Sequence, residues 1–553
     1  MKRLRALLIA VVTCVALHST TSFAAAPPIA TLTVKNHTEL LATVSRIAEA
    51  ARPGMGIASA AMLPAFLGAP EMAGVDPNRP WQAAAWSRAT GGGSLAVYVP
   101  VTDFDAFKAG LTPGILAGGR NENTVADKNG YAVIFNPNKG GFTDDDRDKA
   151  LNWKVSPAKT DATINLYFAP DDTLKQMMLS GFRAGREKAM QGMMKGLQAA
   201  PKNAAFDPEA MGEIMNFYFS VIDTALAGFV QFNLSLSVTD EDIVIGKQIS
   251  AAKGSDLARW FAPNPDGVAA DINAVDWDSA MAFAVSVRSD PTLSSFIEKA
   301  MALGFKMQGI PQDSEQTQET MKLIKGMLPF VTAGSMSFDD NGMNFGGYYR
   351  FPDRKADDYY GKLIEFMDGM MKKQTGDDKM YKAYEYKKAV RTLDGVSIDR
   401  LSMTYNLDSP LLQAPGQKEQ IQAMFPGGKA EVEYALANGK LFFTMGATKM
   451  ENILKPPTAQ NATPARVKAG PKTTFVGQMN LLTFVKGMFM QMPFSPLPKQ
   501  IVEAIDPAGT GIQTRVNQTG ALDMEVRAPL KLIQSVAKTV FAVQAAKAQQ
   551  NAN

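Results

Sequence analysis

Cysteine and histidine are almost absent from this chain. Its 553 residues include one cysteine, Cys14, and two histidines, His18 and His37. Cys14 and His18 lie in an N-terminal segment that resembles a cleaved leader, so His37 is the only one of the three expected in the mature protein. Because the mature protein would contain no cysteine and one histidine, we exclude disulfides, zinc-cysteine sites, Cys-His dyads and Ser-His-Asp triads. His37 follows the first strand and is expected at the surface, near the start of a helix.

The mature chain also has no excess of charge. The sequence contains 57 basic and 54 acidic residues, and Lys2, Arg3 and Arg5 belong to the leader, which leaves 54 of each. Such a balance argues against nucleic-acid binding through a basic field. No long apolar run follows the leader, since the nearest, Met55 to Ala69, is interrupted by Pro64. We therefore expect no integral membrane span after signal cleavage.

Residues 1–24 have the three parts of a secretory signal peptide. A basic start is followed by an apolar run from Ala6 to Leu17, and Ser22-Phe23-Ala24 supplies small residues for cleavage near Ala24 to Ala26. A permanent anchor would need about 20 apolar residues. The leader predicts an exported protein, either periplasmic or secreted.

Asn-Gly pairs mark the turns of the predicted hairpins at 129–130, 341–342 and 438–439. Asn-Gly readily adopts the positive φ of a type I′ turn between two strands. Around the second pair, residues on one face of each strand alternate with residues on the other, and this pattern predicts that Phe338 lies opposite Phe345. Past Pro352, apolar residues recur at helical spacing and predict an amphipathic helix. This helix has the buried stripe Ala356, Tyr360, Leu363, Met367 and Met371.

One order of elements occurs twice along the chain. An Asn-Gly hairpin, a strand with a helix, and a second hairpin with a helix follow one another at 124–262 and again at 430–545. We therefore predict an α+β fold of tandem duplicated modules, in which antiparallel hairpins carry amphipathic helices on one face. The predicted halves are 27–265 and 266–545, followed by a disordered tail at 546–553.

Part of the first half resembles a known family. Gly74-Val75-Asp76, Arg79-Pro80 and the stretch from Tyr98 to Phe104 are similar to a pattern in large exported bacterial proteins that carry a domain-of-unknown-function label. The resemblance covers roughly a quarter of the chain. It implies an extracytoplasmic location and supplies no catalytic residues.

Methionine is the one conspicuous enrichment, with 31 residues. Thioethers can bind Cu(I), line adaptable apolar grooves, or fill helix cores, and helical spacing favours core filling for most of them. The segment from Met55 to Gly74 fits either a packed helical hairpin or a mobile flap over an apolar groove, and packing is favoured. The candidate ligand-binding residues are Met62, Phe66, Met488, Phe489, Met490 and Met492.

The acidic residues identify no site of their own. Thr143 to Asp148 is rich in carboxylates but lacks the glycine and distal glutamate of a calcium-binding loop. We predict no catalytic residue, metal or cofactor. The expected function is a non-enzymatic extracytoplasmic binding or scaffold protein of the cell envelope with an apolar-ligand groove, whose partner is a lipid, another apolar ligand or an envelope protein. The alternative is a carboxylate-dependent hydrolase acting on an envelope glycan or ester.

Overall fold

Helices and antiparallel strands both contribute heavily to the computed structural model of this protein. It is 40% helical and 35% strand, which confirms the mixed α+β character expected from the sequence. The structure describes residues 27–87, 93–112, 125–135, 143–155, 161–198, 208–307, 314–339, 342–377, 379–409, 412, 417–446, 448, 450–455, 468–491, 502, 505–507 and 509–552.

The chain divides into two units. The first comprises Met1–Ala199, Tyr218–Arg259 and Gly520–Asp523. The second comprises Ala200–Phe217, Trp260–Thr519 and Met524–Asn553. The main change from one unit to the other falls after Arg259, and the division into halves after residue 265 stays a prediction.

The first unit is built on an antiparallel sheet. Its strands are β1 (Ala30–Val34), β2 (Trp81–Ser87), β3 (Gly93–Pro100), β4 (Val125–Lys128), β5 (Tyr131–Phe135), β6 (Ile164–Phe168), β7 (Phe229–Val238) and β8 (Asp242–Ala251). They pair in the order β4-β5-β3-β2-β1-β6-β7-β8. The helices that lie wholly or mainly in this unit are α1 (His37–Ala51), α2 (Gly56–Leu67), α3 (Phe104–Ala109), α4 (Asp144–Asn152), α5 (Asp172–Gln198), α6 (Pro208–Gly228) and α7 (Asp256–Trp260). The residues of α6 up to Phe217 belong to the second unit.

Helices of the first unit contribute to apolar clusters on both faces of this sheet, not on one face as predicted. Consecutive strand residues point to opposite faces. Val99 belongs to a buried cluster that contains Phe107 of α3, whereas Tyr98 belongs to another that contains Ala150 of α4. The Tyr98 hydroxyl also donates to the Ala150 carbonyl at 2.8 Å. The physical reason is that β3 carries buried apolar side chains at both alternating positions.

The strands of the second unit are antiparallel as well. Its strands are β9 (Met281–Val287), β10 (Phe330–Asp339), β11 (Gly342–Arg350), β12 (Tyr381–Leu393), β13 (Val396–Tyr405), β14 (Lys429–Ala437), β15 (Lys440–Met445), β16 (Thr473–Met479), β17 (Ile512–Gln518) and β18 (Ala521–Pro529). Nine of them pair in the order β17-β16-β9-β10-β11-β15-β14-β13-β12. The helices are α8 (Pro291–Met307), α9 (Glu315–Lys325), α10 (Ala356–Lys373), α11 (Gln417–Met424), α12 (Met450–Leu454), α13 (Leu481–Gln491) and α14 (Leu530–Ala552).

The amphipathic helix predicted after Pro352 is confirmed as α10. Its predicted stripe faces a cluster of buried tyrosines and leucines from the sheet. Ala356, Tyr360 and Met371 are buried, and Leu363 and Met367 pack beside them. At the other end of the unit, α14 continues to Ala552, so residues 546–552, which were predicted to be part of a disordered tail, are helical. Alanine, lysine and glutamine fill this last stretch, and they are good helix formers.

Two predicted hairpin turns are confirmed, and the register of a third is wrong. Asn129-Gly130 and Asn438-Gly439 both have positive φ and join paired strands through two-residue turns. At the remaining hairpin Asp339 pairs with Gly342, so Phe338 lies opposite Met343 and Phe345 lies opposite Met336. The turn itself, at residues 340–341, lies outside the described residues. The pairing differs from the predicted one by two residues, which leaves the predicted faces unchanged because strand side chains alternate with period two.

No helix in the described part of the chain combines the length and apolarity needed to cross a membrane.

Candidate ligand-binding surface

Helix α2 presents an uncharged apolar face to solvent. Ile57 is 85% exposed and Met62 is 55% exposed, and Met55 just before the helix is 38% exposed. The other exposed residues of α2 are Ala58, Ala61 and Ala65. Apolar faces of helices are normally turned toward a core, and contiguous exposed apolar surface is typical of interaction sites.

Close packing against α1 fixes the start of α2. A side chain at Gly56 would place its Cβ 2.9 Å from the carbonyl oxygen of Ser45, so only glycine allows this approach. The Glu49 carboxylate accepts hydrogen bonds from the backbone N–H groups of Gly54 at 2.9 Å and Gly56 at 3.0 Å. These bonds lower the pKa of Glu49 and satisfy N–H groups that the first turn of a helix leaves free.

The end of α2 is held by the core of the first unit. Gly68 takes a left-handed conformation with φ +88°, which ends the helix. The N–H of Ala69 then donates to the carbonyl of Pro64 at 3.0 Å. Ala69 is buried in the cluster around Trp81, and Leu67 packs against it. Both ends of α2 are therefore fixed, so its outward face has a defined position in the first unit.

The structure places two of the six predicted ligand-binding residues on this helix. Met62 is exposed and Phe66, one turn later, is half-buried. The packed helical hairpin predicted within Met55 to Gly74 is not observed, because this segment forms the single helix α2, which contacts α1 and leaves Ile57 and Met62 exposed. Met488, Phe489 and Met490 belong to α13, but their side chains lie outside the described residues, as does Met492. Those four predictions are therefore not placed.

His37 is half-buried, and the prediction of a surface position is wrong. It is the first residue of α1, after the Asn36 cap whose side chain accepts from the N–H of Glu39. Its ring stacks on Trp81, with ring centroids 6.1 Å apart. Burial lowers the pKa of His37. Sequence spacing located the helix start correctly, but the indole that covers the imidazole comes from β2, more than forty residues later.

Glu433 and Glu451 converge on one arginine in the second unit. Arg391 of β12 binds both carboxylates, with its Nη2 at 2.7 Å from Glu433. Arg400 of β13 adds a second bond to Glu433 at 2.9 Å. Burial acts to raise the pKa of Glu433, but the hydrogen bonds from Arg391 and Arg400 outweigh it, so this pKa lies below its usual range. Glu433 is therefore held ionised.

Asp271 is occupied by two donors. The Tyr348 hydroxyl donates to one carboxylate oxygen at 2.7 Å, and Arg350 binds the other at 3.0 Å. The ammonium of Lys440 lies 3.8 Å from the centre of the Tyr348 ring, and burial lowers the pKa of Lys440. Because Asp271 itself is 2% exposed, this cluster is a structural ion pair beneath a tyrosine.

Asp399 is similarly committed to protein donors. It accepts from the hydroxyls of Tyr386 at 2.6 Å and Tyr360 at 2.8 Å. Its other oxygen accepts from the N–H of Ala389 at 2.9 Å. Ala389 has a φ of +51° at an irregularity in the pairing of β12 with β13. Asp399 therefore stabilises a β-bulge and fastens α10 to the sheet.

The acidic segment at 143–148 forms a helix cap. Thr143 accepts from the N–H of Asp146 at 3.2 Å, and the Asp146 carboxylate accepts from the N–H of Thr143 at 3.1 Å. This is the reciprocal capping box that begins α4. Across the residues that the structure describes, no cluster of three or more acids, histidines or cysteines is arranged to hold a metal ion.

None of the protein-family models matches this chain, and neither the curated proteins nor the solved structures give a significant match.

Proposed function

We propose that this protein is an exported, non-catalytic binding protein of the cell envelope, and that the outward face of α2 binds an apolar ligand such as a lipid acyl chain. The observation that carries the proposal is the exposure of Ile57 and Met62 on a helix with no charged residue. Methionine supports such a role because its flexible thioether adapts to ligands of different shape.

The binding energy available to this face is substantial. Removing a large aliphatic side chain from water contributes about 1.5–3 kcal/mol when burial is complete. Burial of Ile57 and Met62 by a ligand would therefore contribute a binding free energy of several times the thermal energy. Burial of the alanines between them would add to it. The fixed ends of α2 limit the conformational entropy that binding would cost.

The charged clusters favour binding over hydrolysis. A glycoside hydrolase needs one carboxylic acid that stays protonated near neutral pH, which requires a raised pKa. Glu433 has a lowered pKa, and Asp271 and Asp399 are saturated with protein donors. Hydrolysis of a glycan or ester remains the second candidate.

We further propose that the two units descend from a duplicated module, which would suit a scaffold. The order of strand pairing is the same in the two units, and this supports the duplication. The order β4-β5-β3-β2-β1-β6-β7 in the first unit corresponds to β14-β15-β11-β10-β9-β16-β17 in the second. Tyr98 pairs with the residue three positions after Gly130, and Tyr348 pairs with the residue three positions after Gly439. Each tyrosine is 2% exposed. In this scheme β12 and β13 are an insertion that extends the strand pairing beyond β14.

Titration with a fluorescent fatty acid tests the binding proposal. The double variant I57S/M62S should weaken binding by tenfold or more, because it removes two large apolar contacts. The matched control is Ile222→Ser on α6, another exposed apolar residue at 43% exposure, which should leave binding unchanged. Absence of binding by the parent protein, or equal loss in the control, would reject α2 as the site. Turnover of a glycan or ester, abolished by changing one acid to its amide in a variant that still folds, would establish the hydrolase instead.

A further inference from the structure

Two hairpin turns of this chain share one dipeptide and one conformation. Asn129-Gly130 joins β4 to β5, and Asn438-Gly439 joins β14 to β15. The two asparagines have φ values of +55° and +53°, and both are exposed. In each hairpin, the residues directly before and after the turn pair with each other. The two turns can therefore be compared as sites of the same chemistry.

Asn-Gly can lose its side-chain amide group without an enzyme. The backbone nitrogen of the glycine attacks the side-chain carbonyl carbon of the asparagine and forms a C–N bond. The proton of that nitrogen leaves with the side-chain nitrogen as ammonia, and a five-membered succinimide remains. Water then opens the succinimide at either carbonyl, which gives aspartate or isoaspartate. Glycine favours the attack because it has no side chain to obstruct it.

The turn conformation itself prevents the first step. In the left-handed conformation of the two asparagines, the following backbone nitrogen points away from the Cβ of the asparagine. Ring closure needs the reacting atoms side by side in a near-attack geometry. The peptide between asparagine and glycine must therefore rotate, which opens the turn. The rate of deamidation then follows the population of the open turn, as for other local opening reactions.

Arg79 holds one of these turns closed. Its Nη1 donates to the Gly130 carbonyl at 3.1 Å, and its Nη2 donates to the Asn129 carbonyl at 3.4 Å. The backbone N–H of Val101 donates to the same Gly130 oxygen at 3.0 Å. The guanidinium is held in turn by the Tyr131 ring, whose centre lies 4.3 Å from its central carbon. Because the Asn129 carbonyl belongs to the peptide that must rotate, opening this turn breaks a bond to a charged donor.

The other turn lacks such support. Among the residues that the structure describes, no group outside the hairpin forms a hydrogen bond with Asn438 or Gly439. Nothing lies within 4 Å of the place that a Cβ on Gly439 would take. We propose that Asn438 is a site of spontaneous deamidation, and that Arg79 protects Asn129 from the same reaction. The product places a carboxylate, and in isoaspartate an additional backbone methylene, in the turn between β14 and β15.

Peptide mapping by mass spectrometry tests this proposal on the folded chain without residues 1–24, incubated at mildly alkaline pH. Asn438 should deamidate about tenfold faster than Asn129, because one hydrogen bond from a charged donor shifts an opening equilibrium by about this factor. The variant Arg79→Ala should raise the rate at Asn129 by about tenfold and leave the rate at Asn438 unchanged. Arg52→Ala removes another exposed arginine and is the matched control, which should alter neither rate.

The unfolded chain supplies the reference rates. In urea the two asparagines should deamidate at similar rates, because each precedes a glycine and neither turn is held. The comparison of the two sites within the parent protein needs no variant, so it decides the matter even if Arg79→Ala does not fold. The proposal is overturned if Asn438 reacts no faster than Asn129 in the folded parent. It is equally overturned if a folded Arg79→Ala protein deamidates at Asn129 no faster than the parent.

Discussion

At the scale of single residues, the imidazole of His37 shows how packing sets a pKa. The ring stacks on Trp81 and is half-buried, and burial disfavours the charged form. Its Nε2 and the Trp81 Nε1 are buried without a hydrogen-bond partner. A proton added to His37 would therefore place a charge in a site that offers it no acceptor.

We expect His37 to titrate below its usual value of about 6.5. In the chain without residues 1–24 it is the only histidine, so its ring protons are resolved in a proton NMR titration. Between the folded and the unfolded pKa the unfolded state binds more protons, so the free energy of unfolding rises with pH and the gain is complete above about 6.5. The same resonance in urea is the control. A native pKa at or above the unfolded one would contradict the burial argument.

Gly56 gives a second residue-scale prediction. In Gly56→Ala the new Cβ would meet the carbonyl and hydroxyl oxygens of Ser45, each at 2.9 Å, and force α1 and α2 apart. Overpacking of this kind costs about 1–3 kcal/mol, which urea unfolding would measure. Gly181→Ala on α5 is the matched control, because nothing lies within 4 Å of its Cβ. That substitution should be neutral or stabilise by up to about 1 kcal/mol. Equal stability changes in the two variants would refute the close approach.

At the scale of elements, turn chemistry was the most reliable guide to the fold. Asn129-Gly130 and Asn438-Gly439 predicted hairpins because few dipeptides adopt two consecutive positive φ values. The hairpin of β12 and β13 was missed, although Asp394-Gly395 has φ values of +49° and +82°. The signal was present, but the many charged residues of β12 hide its alternation, since the strand is exposed along much of its length. Edge strands are often charged in this way.

The candidate ligand-binding surface could be predicted only in part, for a physical reason. Composition indicated that the segment from Met55 to Gly74 is apolar, and Met62 lies on the exposed face. An apolar helix can be buried or exposed, and its own sequence does not decide which. The decision depends on partners distant in sequence, such as the core at Trp81 that receives Ala69 and leaves Ile57 uncovered.

The ion pairs joining β12, β13 and β14 predict an acid-sensitive element. The lowered pKa of Glu433 contributes stability that is present above its unfolded value of about 4.3 and is lost as pH falls through the folded pKa. Glu433→Gln should therefore destabilise by about 1–3 kcal/mol at pH 7 and by less near pH 3. Urea unfolding at the two pH values gives the difference. As a control, Glu385→Gln on exposed β12 should change little at either pH, and an equal effect of both substitutions would contradict the role of the half-buried ion pairs of Glu433.

At the scale of the whole molecule, charge balance and strand order bear on the proposed binding role. If the leader is removed, the chain has 54 basic and 54 acidic residues, and such a balance provides no global field to steer a charged substrate. The matching order of strand pairing in the two units supports the proposed duplication. Local sequence order suggested the repeated hairpins, but the correspondence between Tyr98 and Tyr348 depends on pairing between strands far apart in sequence.

The last prediction concerns export, on which the proposed envelope role depends. The basic start, the apolar run from Ala6 to Leu17 and the small residues near Ala24 should direct secretion and cleavage between Ala24 and Ala26. Intact-mass measurement of protein from its native cells should find a chain that begins there, and a thiol reagent should not label it because Cys14 has been removed. The variant V11D/V12D, which interrupts the apolar run, should accumulate unprocessed and react with one equivalent of reagent. A native protein that retains Met1 would exclude signal cleavage and leave the extracytoplasmic role without support.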